Sequence, residues 1–156
     1  MRHPLRMLVT MLAVGVLAVG VSCKKKEDTP PDRTALLTAR TWRISQVKAN
    51  NTPLTDQLLQ QVAGQAGLLG QIYNSNVVFK ADGTFSSPNN NTVSGTWTFN
   101  TDKTELTLVS GGQSNGFKVI TLSETSLVLE SLSSYTVNVP IIGDISARVT
   151  LEMAPA

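Results

Sequence analysis

Short runs of alternating apolar and polar residues dominate the chain after residue 33, and clusters of Asn, Asp, Gly and Ser separate them. Because successive side chains of a strand point to opposite faces of a sheet, this pattern predicts an antiparallel all-β domain. Nine strands are predicted, over residues 40–48, 76–80, 84–87, 93–100, 104–110, 116–122, 126–131, 135–141 and 145–153. The polar stretches 86–92 and 110–116 are predicted to be loops.

The hairpin registers follow from the faces that apolar residues must share. Phe79 and Phe85 share a face only if their connection has three residues, and Gly83 then occupies the loop position that needs a positive φ. Near the C-terminus, a two-residue loop would mix apolar and polar residues on one face. A three-residue loop over 142–144 instead pairs residues 135, 137, 139 and 141 with residues 151, 149, 147 and 145, and we predict this register. Pro140 has no N–H, so we expect it at an edge or a bulge.

One segment, residues 54–73, departs from the β pattern. Its apolar residues recur at the spacing of a helix face: Leu58, Leu59, Val62, Ala63, Ala66, Leu69 and Tyr73. Glycines at 64, 67 and 70 would let this helix lie close against a sheet or across the mouth of a barrel. The alternative is a frayed helix, since each glycine costs up to about 1 kcal/mol relative to alanine.

An apolar run over residues 7–23 follows Arg2, His3 and Arg6, which is the pattern of a secretory signal. Cys23, the only cysteine, ends this run directly after Gly20-Val21-Ser22, and the arrangement resembles the lipobox of bacterial lipoproteins. We therefore expect a lipoprotein signal peptide over 1–22, a lipidated Cys23 with a flexible tether over 23–34, and a barrel domain over 35–156. The alternatives are an ordinary signal peptide that leaves a free thiol, and a transmembrane helix, for which the run is short of roughly 20 residues.

Lipid attachment at Cys23 implies a protein held at the bacterial cell envelope, with the outer membrane as the expected site and its periplasmic or surface face left open. Several acyl chains of the palmitate type would give stable anchoring, because each buried methylene contributes about 0.8 kcal/mol. Residues 24–28, Lys-Lys-Lys-Glu-Asp, are similar to a surface-export signal of some lipoproteins. They also suit a solvated tether.

Removal of residues 1–22 changes the charge balance. Arg2 and Arg6 are two of the 13 basic residues, so 11 basic and 11 acidic residues remain and the formal net charge becomes zero. A neutral domain without a basic cluster lacks the electrostatic footprint of a nucleic-acid-binding protein. Nucleic acid is therefore not expected among the partners.

The same removal takes away His3, the only histidine. The mature domain then lacks the commonest metal ligands, the usual general base and any thiol besides Cys23. Its carboxylates fall mostly at predicted caps, turns and outward strand positions, which favours a solvated surface over a catalytic pair. We predict no catalytic residue, no metal and no cofactor, and hence a protein that is not an enzyme.

The aromatic residues on the predicted strands are the candidate ligand-binding residues: Trp42, Phe79, Phe85, Trp97, Phe99 and Phe117. A closed barrel of about eight strands either fills with such side chains or uses some of them to line a small-ligand cavity. Both interpretations, core and cavity, stay open at this point.

A set of short motifs occurs in order: Leu-Leu at 36–37, Trp-Arg-Ile at 42–44, Val-Phe-Lys-Ala-Asp-Gly-Thr-Phe at 78–85, Gly-Thr-Trp-Thr-Phe at 95–99, Leu-Thr-Leu at 106–108, Ile-Thr-Leu at 120–122 and Leu-Val-Leu at 127–129. Together they resemble the lipocalin-like domain of bacterial secreted lipoproteins. The resemblance implies an antiparallel up-and-down β-barrel of about eight strands. The helical spacing over residues 54–73 adds one short amphipathic helix between the first two strands.

Two functions are compatible with this reading. The first is a membrane-anchored envelope lipoprotein that binds a small apolar ligand in its barrel without catalysis. The second is an interaction module with a filled barrel, whose loops and helix contact another envelope protein or a surface polysaccharide.

Overall fold

The computed structural model describes residues 32–63, 67–73, 75–88, 93–139 and 143–156. Three short helices lie within these residues: α1 (Arg33–Thr38), α2 (Asp56–Ala63) and α3 (Leu68–Ile72). The strands are β1 (Thr41–Ala49), β2 (Thr52–Pro53), β3 (Asn76–Phe79), β4 (Thr84–Ser87), β5 (Val93–Phe99), β6 (Glu105–Ser110), β7 (Gln113–Leu122), β8 (Leu127–Ser131), β9 (Tyr135–Val139), β10 (Gly143–Ala147) and β11 (Val149–Pro155).

Eight of these strands close into an antiparallel ring in the order β1-β3-β4-β5-β6-β7-β8-β11, and β11 pairs with β1 to complete it. The short strand β2 pairs with the last two residues of β1. Strands β9 and β10 form a separate two-stranded sheet. Closure satisfies the backbone groups that an open sheet would leave at its edges. The predicted up-and-down barrel of about eight strands is confirmed.

The alternation along each strand places the core inside this ring. On β6, Leu106 and Leu108 are buried while Glu105 and Val109 are exposed. The other strands of the ring contribute buried side chains in the same way, and all of them join one apolar cluster. The period of two in the sequence is therefore the direct cause of the filled interior.

The predicted β3–β4 hairpin is confirmed. Phe79 pairs with Phe85, and Gly83 has a φ of +83°. The Asp82 carboxylate accepts hydrogen bonds from the Thr84 hydroxyl at 2.6 Å and from the Thr84 backbone N–H at 2.9 Å, and these bonds lower the pKa of Asp82. Local turn chemistry alone fixes this register.

The prediction of one continuous helix over 54–73 was wrong. The segment contains two helices, α2 and α3, and Gly67, with a φ of +54°, immediately precedes α3. Residues 64–66 lie outside the described residues. A left-handed residue cannot continue a right-handed helix, so the chain must restart its helix after Gly67.

The loop predicted over 110–116 was also wrong. Gly111 and Gly112, with φ of +56° and +78°, make a two-residue turn, and β7 begins directly after them at Gln113. Two positive φ values are what a tight hairpin turn requires. The polar residues at 113–115 looked like a loop but belong to a paired strand.

The predicted C-terminal hairpin register was wrong. Ile145 pairs with Val137, and Ala147 pairs with Tyr135, so the connection spans residues 140–142. That connection, including Pro140, lies outside the described residues. The predicted strand over 145–153 is divided at Arg148, because β11 pairs with β1 and β8 while β10 pairs only with β9.

We predict that Gly95→Ala destabilises the barrel by at least about 2 kcal/mol, through overpacking. A Cβ at this position would lie 1.9 Å from the Val109 carbonyl oxygen and 2.8 Å from Phe85 Cε1, so the β5–β6 pair must shift. Denaturant unfolding measures the change. Ser94→Ala, one residue away on the exposed face, is the control and should cost less than about 0.5 kcal/mol. Equal stability of the two variants would contradict this account.

Candidate functional site

The two ends of the barrel differ in how they are covered. We call the end where β1 begins the closed end. Helix α1 lies at this end, and its residue Leu37 is fully buried. The carbonyl oxygen of Leu37 accepts a 2.9 Å hydrogen bond from Trp42 Nε1. Arg33 donates to the Lys103 carbonyl oxygen at 2.6 Å, and a hydrogen bond from the Lys103 ammonium lowers the pKa of Asp32. These contacts hold α1 on the loop that joins β5 to β6.

Four of the predicted site residues form one aromatic cluster near the closed end. The Phe79 ring centroid lies 6.2 Å from that of Phe85 and 6.1 Å from that of Trp97, and Trp97 meets Phe99 at 5.5 Å. Two of these contacts are edge-to-face, the arrangement that the ring quadrupoles favour. Trp97 Nε1 donates to the Lys80 carbonyl oxygen at 3.0 Å, so its polar atom is satisfied.

The remaining two candidates, Trp42 and Phe117, are fully buried elsewhere in the same apolar cluster. Phe99 is the only one of the six that is partly exposed. The structure thus brings all six residues into the barrel wall facing the core, where they pack on leucine and valine side chains. A role for any of them in ligand binding stays a prediction.

The opposite end, where β1 ends, we call the mouth. The segment from α2 to α3 crosses it, and we call residues 56–63 and 67–72 the cover. The cover connects β1 and its short partner β2 to β3, which is the neighbour of β1 in the ring. Its Gly67 nevertheless lies on the far side of the mouth, because a Cβ built on Gly67 would be 3.1 Å from Gln113 Oε1. Gln113 begins β7, which is four strands from β3 and so halfway round the ring of eight. The cover therefore spans the mouth from one wall to the other.

The cover is held down by apolar side chains. Leu59 on α2 and three residues of α3 are buried and belong to the core cluster: Leu68, Leu69 and Ile72. Strand β9 packs against α2 and forms the second part of the closure. From β9, the Tyr135 hydroxyl donates to Asn115 Oδ1 at 3.0 Å, and burial raises the pKa of Tyr135.

Buried polar side chains lie at the mouth end of the barrel. The Ser75 hydroxyl donates to the Ile72 carbonyl oxygen at 3.1 Å, and the Ser131 hydroxyl accepts from the Val149 N–H at 2.9 Å. By contrast, Ser87 Oγ and Asn115 Nδ2 are buried and have no hydrogen-bond partner among the described residues. Sequence analysis missed these residues. For Ser87 and Asn115 the sequence held one signal. Each is a polar residue at an inward position of an alternating strand, two residues from Phe85 and from Phe117 respectively.

A polar cleft of about 230 Å³ lies on the outer wall near the mouth, and its lining residues are Asn50, Asn51, Glu130, Arg148 and Thr150. Asn50 and Asn51 have φ of +46° and +67° and form the turn between β1 and β2. The Asn50 side chain accepts from the Arg148 N–H at 3.1 Å, and the Arg148 guanidinium lies 3.7 Å from a Glu130 carboxylate oxygen. The cleft offers charges of both signs and amide groups to a polar partner.

Within the described part of the chain, no three His, Cys, Asp or Glu side chains lie close enough to hold a metal ion. The same residues include no helix that is long and apolar enough to span a membrane. Cys23, the predicted signal peptide and most of the predicted tether lie outside the described residues.

We predict that Tyr135 makes the unfolding free energy fall as the pH rises above about 10. Burial raises the pKa of its phenol above the unfolded value of 10.0, so the folded state favours the neutral form. This stabilisation is complete below the unfolded pKa and is lost as the pH rises through the folded pKa. Denaturant unfolding at a series of pH values should show a steeper decline for the native protein than for Tyr135→Phe. Parallel curves would contradict the prediction.

The chain is similar to known proteins in two comparisons. A solved DUF4847 family protein from Bacteroides vulgatus is similar, with 15% identity, a TM-score of 0.43, and coverage of 76% of this chain and 93% of that chain. No curated protein matches the chain. The family model for the lipocalin-like domain matches residues 39–129, which run from just before β1 to β8. This match spans more than half of the chain and confirms the resemblance read from the motifs, so the protein belongs to the lipocalin-like domain family.

Proposed function

We propose that this protein is a non-enzymatic binding protein for a small, mostly apolar ligand, and that a lipidated Cys23 holds it at the bacterial cell envelope, with the outer membrane as the expected site. The observation that carries the proposal is the closure of the barrel mouth by a separate cover over buried polar atoms without partners. Membership in a lipocalin-like family supports the same conclusion, since a closed eight-stranded barrel has room for one small ligand where side chains do not fill it.

The distribution of side chains limits where the ligand binds. The closed end is filled by the aromatic cluster and by α1, whereas the mouth end has smaller inward side chains such as Val93 and Ser87. The ligand therefore belongs beneath the cover, and it enters by displacing α2 and α3. Its apolar part contacts the apolar core side chains that lie beneath the cover.

The described domain begins at the closed end, with Asp32 and α1. Residues 24–31 separate it in sequence from Cys23, the proposed site of lipid attachment.

The proposal is tested by native mass spectrometry of residues 24–156, a segment that includes the whole compact unit Pro31–Ala156. We expect a reproducible bound mass that is released on denaturation and recovered on refolding with lipid extract. Val93→Phe, which enlarges an inward side chain at the mouth, should weaken binding about tenfold or more, or ~1.4 kcal/mol. Val109→Phe makes the same change on the exposed face of β6 and should leave binding unchanged. An unbound mass before and after lipid exposure would overturn the proposal.

The polar cleft favours a second candidate function, an interaction module that contacts another envelope protein or a surface polysaccharide. Its amides, its hydroxyl and its Arg148–Glu130 pair are groups that hydrogen-bond to sugars or to a polar protein surface.

In a pull-down from envelope extract, Arg148→Ala should weaken such a contact about tenfold or more, the effect of losing a hydrogen bond to a charged group. Arg40→Ala is the matched control, because Arg40 forms a comparable exposed ion pair with Glu124 at 3.6 Å outside the cleft. Equal capture by both variants would remove this candidate.

A further inference from the structure

Two buried polar atoms at the mouth, Ser87 Oγ and Asn115 Nδ2, lack hydrogen-bond partners among the described residues, and they lie on facing parts of the barrel wall. Ser87 is the last residue of β4, and Asn115 is the third residue of β7. Both lie at the mouth end of their strands. Their strands are three apart in the ring of eight, so the two side chains come from facing parts of the wall. Alternation with Phe85 and Phe117, which are buried, directs both side chains inward.

Neither atom is explained by folding alone. Ser87 has no exposed surface, and its hydroxyl has no hydrogen-bond partner among the described residues. At Asn115, the Tyr135 hydroxyl occupies Oδ1, which leaves the two N–H groups of Nδ2 as unused donors. Buried groups of this kind reduce stability, and their retention in a native structure calls for a specific reason.

The surroundings indicate the charge of a group that would satisfy them. The described polar side chains at the mouth are Ser75, Ser87 and Ser131, which are buried, and Asn115 and Tyr135, which are half-buried, and none carries a charge. Thr150 is also buried, but it lines the outer cleft. A carboxylate or phosphate would lose its hydration there without meeting a cation. An uncharged oxygen acceptor, by contrast, needs only the donors that are present.

Resting on the function proposed above, we infer that Ser87 and Asn115 form the head-group site for a neutral amphipathic ligand. An ester, amide or hydroxyl oxygen of the ligand accepts a hydrogen bond from Asn115 Nδ2, and Ser87 Oγ bonds to a second oxygen of the same head group. The apolar chain of the ligand lies against the leucine and valine side chains beneath the cover. This inference names both the specificity-determining residues and the chemical class of the ligand.

Binding at this site requires the cover to move. Both atoms are shielded from solvent, so the structure represents the closed form of the barrel. The break at Gly67 divides the cover into two short helices, and α3 alone has only five residues. Since isolated helices this short are unstable in water, the cover depends on its buried leucines, and ligand contacts can replace these.

The test is a titration of the anchor-free protein with 1-monopalmitoylglycerol, palmitate and hexadecane, followed by tryptophan fluorescence. The three probes share an apolar chain and differ in having a neutral oxygen-rich head, a charged head or no head. We expect 1-monopalmitoylglycerol to bind at least about fivefold more tightly than either of the others, the effect of one neutral hydrogen bond.

Variants separate the two polar atoms from general packing. Ser87→Ala and Asn115→Leu should each weaken 1-monopalmitoylglycerol binding about fivefold and leave hexadecane binding unchanged. Ser114→Ala, one residue away on the exposed face of β7, is the control and should leave the binding of all three probes unchanged. Ser87→Ala should also raise the thermal unfolding midpoint of the ligand-free protein, since it deletes a buried hydroxyl that has no partner.

The outcomes distinguish the two proposals. Equal binding of all three probes, unaffected by Ser87→Ala and Asn115→Leu, would overturn the head-group site and leave the apolar carrier in place. Tighter binding of palmitate would overturn the neutral class of head group. Failure of every probe to bind would overturn the carrier function, and the head-group site with it. A lower unfolding midpoint for Ser87→Ala would show that its hydroxyl stabilises the fold, which would also overturn the inference.

Discussion

The pairing of β1 with β11 joins the two ends of the domain and gives the other elements their places. Val47 lies opposite Leu151, and Ile44 lies opposite Met153, so that each strand buries its apolar face against the other. Because this pair closes the ring, no barrel strand is left with an open edge, and the inward side chains of all eight strands share one core. The contact spans over a hundred residues of sequence, which makes it the least local interaction in the fold.

Closure also creates two unlike ends. At the closed end the aromatic cluster and α1 fill the interior, and the Trp42–Leu37 hydrogen bond fixes the helix to the barrel. At the mouth the inward side chains are smaller and more polar, and separate segments supply the covering apolar residues. Aromatic packing and buried polar side chains thereby lie in different halves of one small domain.

Among the described residues, the buried side-chain atoms without hydrogen-bond partners are confined to two residues. Most buried polar groups at the mouth are satisfied, as the Ser75 and Ser131 bonds illustrate. Ser87 and Asn115 are the exceptions, and both lie on strands whose other inward residues pack well. Local violations of packing rules in an otherwise consistent structure are typical of functional sites. The outer cleft differs from the mouth, since its polar groups remain accessible from solvent.

Local chemistry made several features readable from the sequence. Alternation predicted the strands that form the barrel, and the Gly83 turn predicted its own register, because both depend on neighbours within a few residues. The C-terminal hairpin was misread for the opposite reason. Its apolar pattern allowed more than one register, and the requirement that β11 pair with β1 and β8 decided where β10 had to end.

The candidate site shows the same division. The sequence identified the aromatic residues as inward-facing, since their spacing alone sets the face of the strand. It did not identify Ser87 and Asn115, because a serine or asparagine on a strand is unremarkable until its partners are known. Periodicity in the sequence set the all-β class and the composition of the core, and the resemblance of its motifs implied the barrel. Contacts between residues far apart in the chain settled which end is filled, what covers the mouth and which buried polar atoms lack partners among the described residues, because no local pattern encodes such contacts.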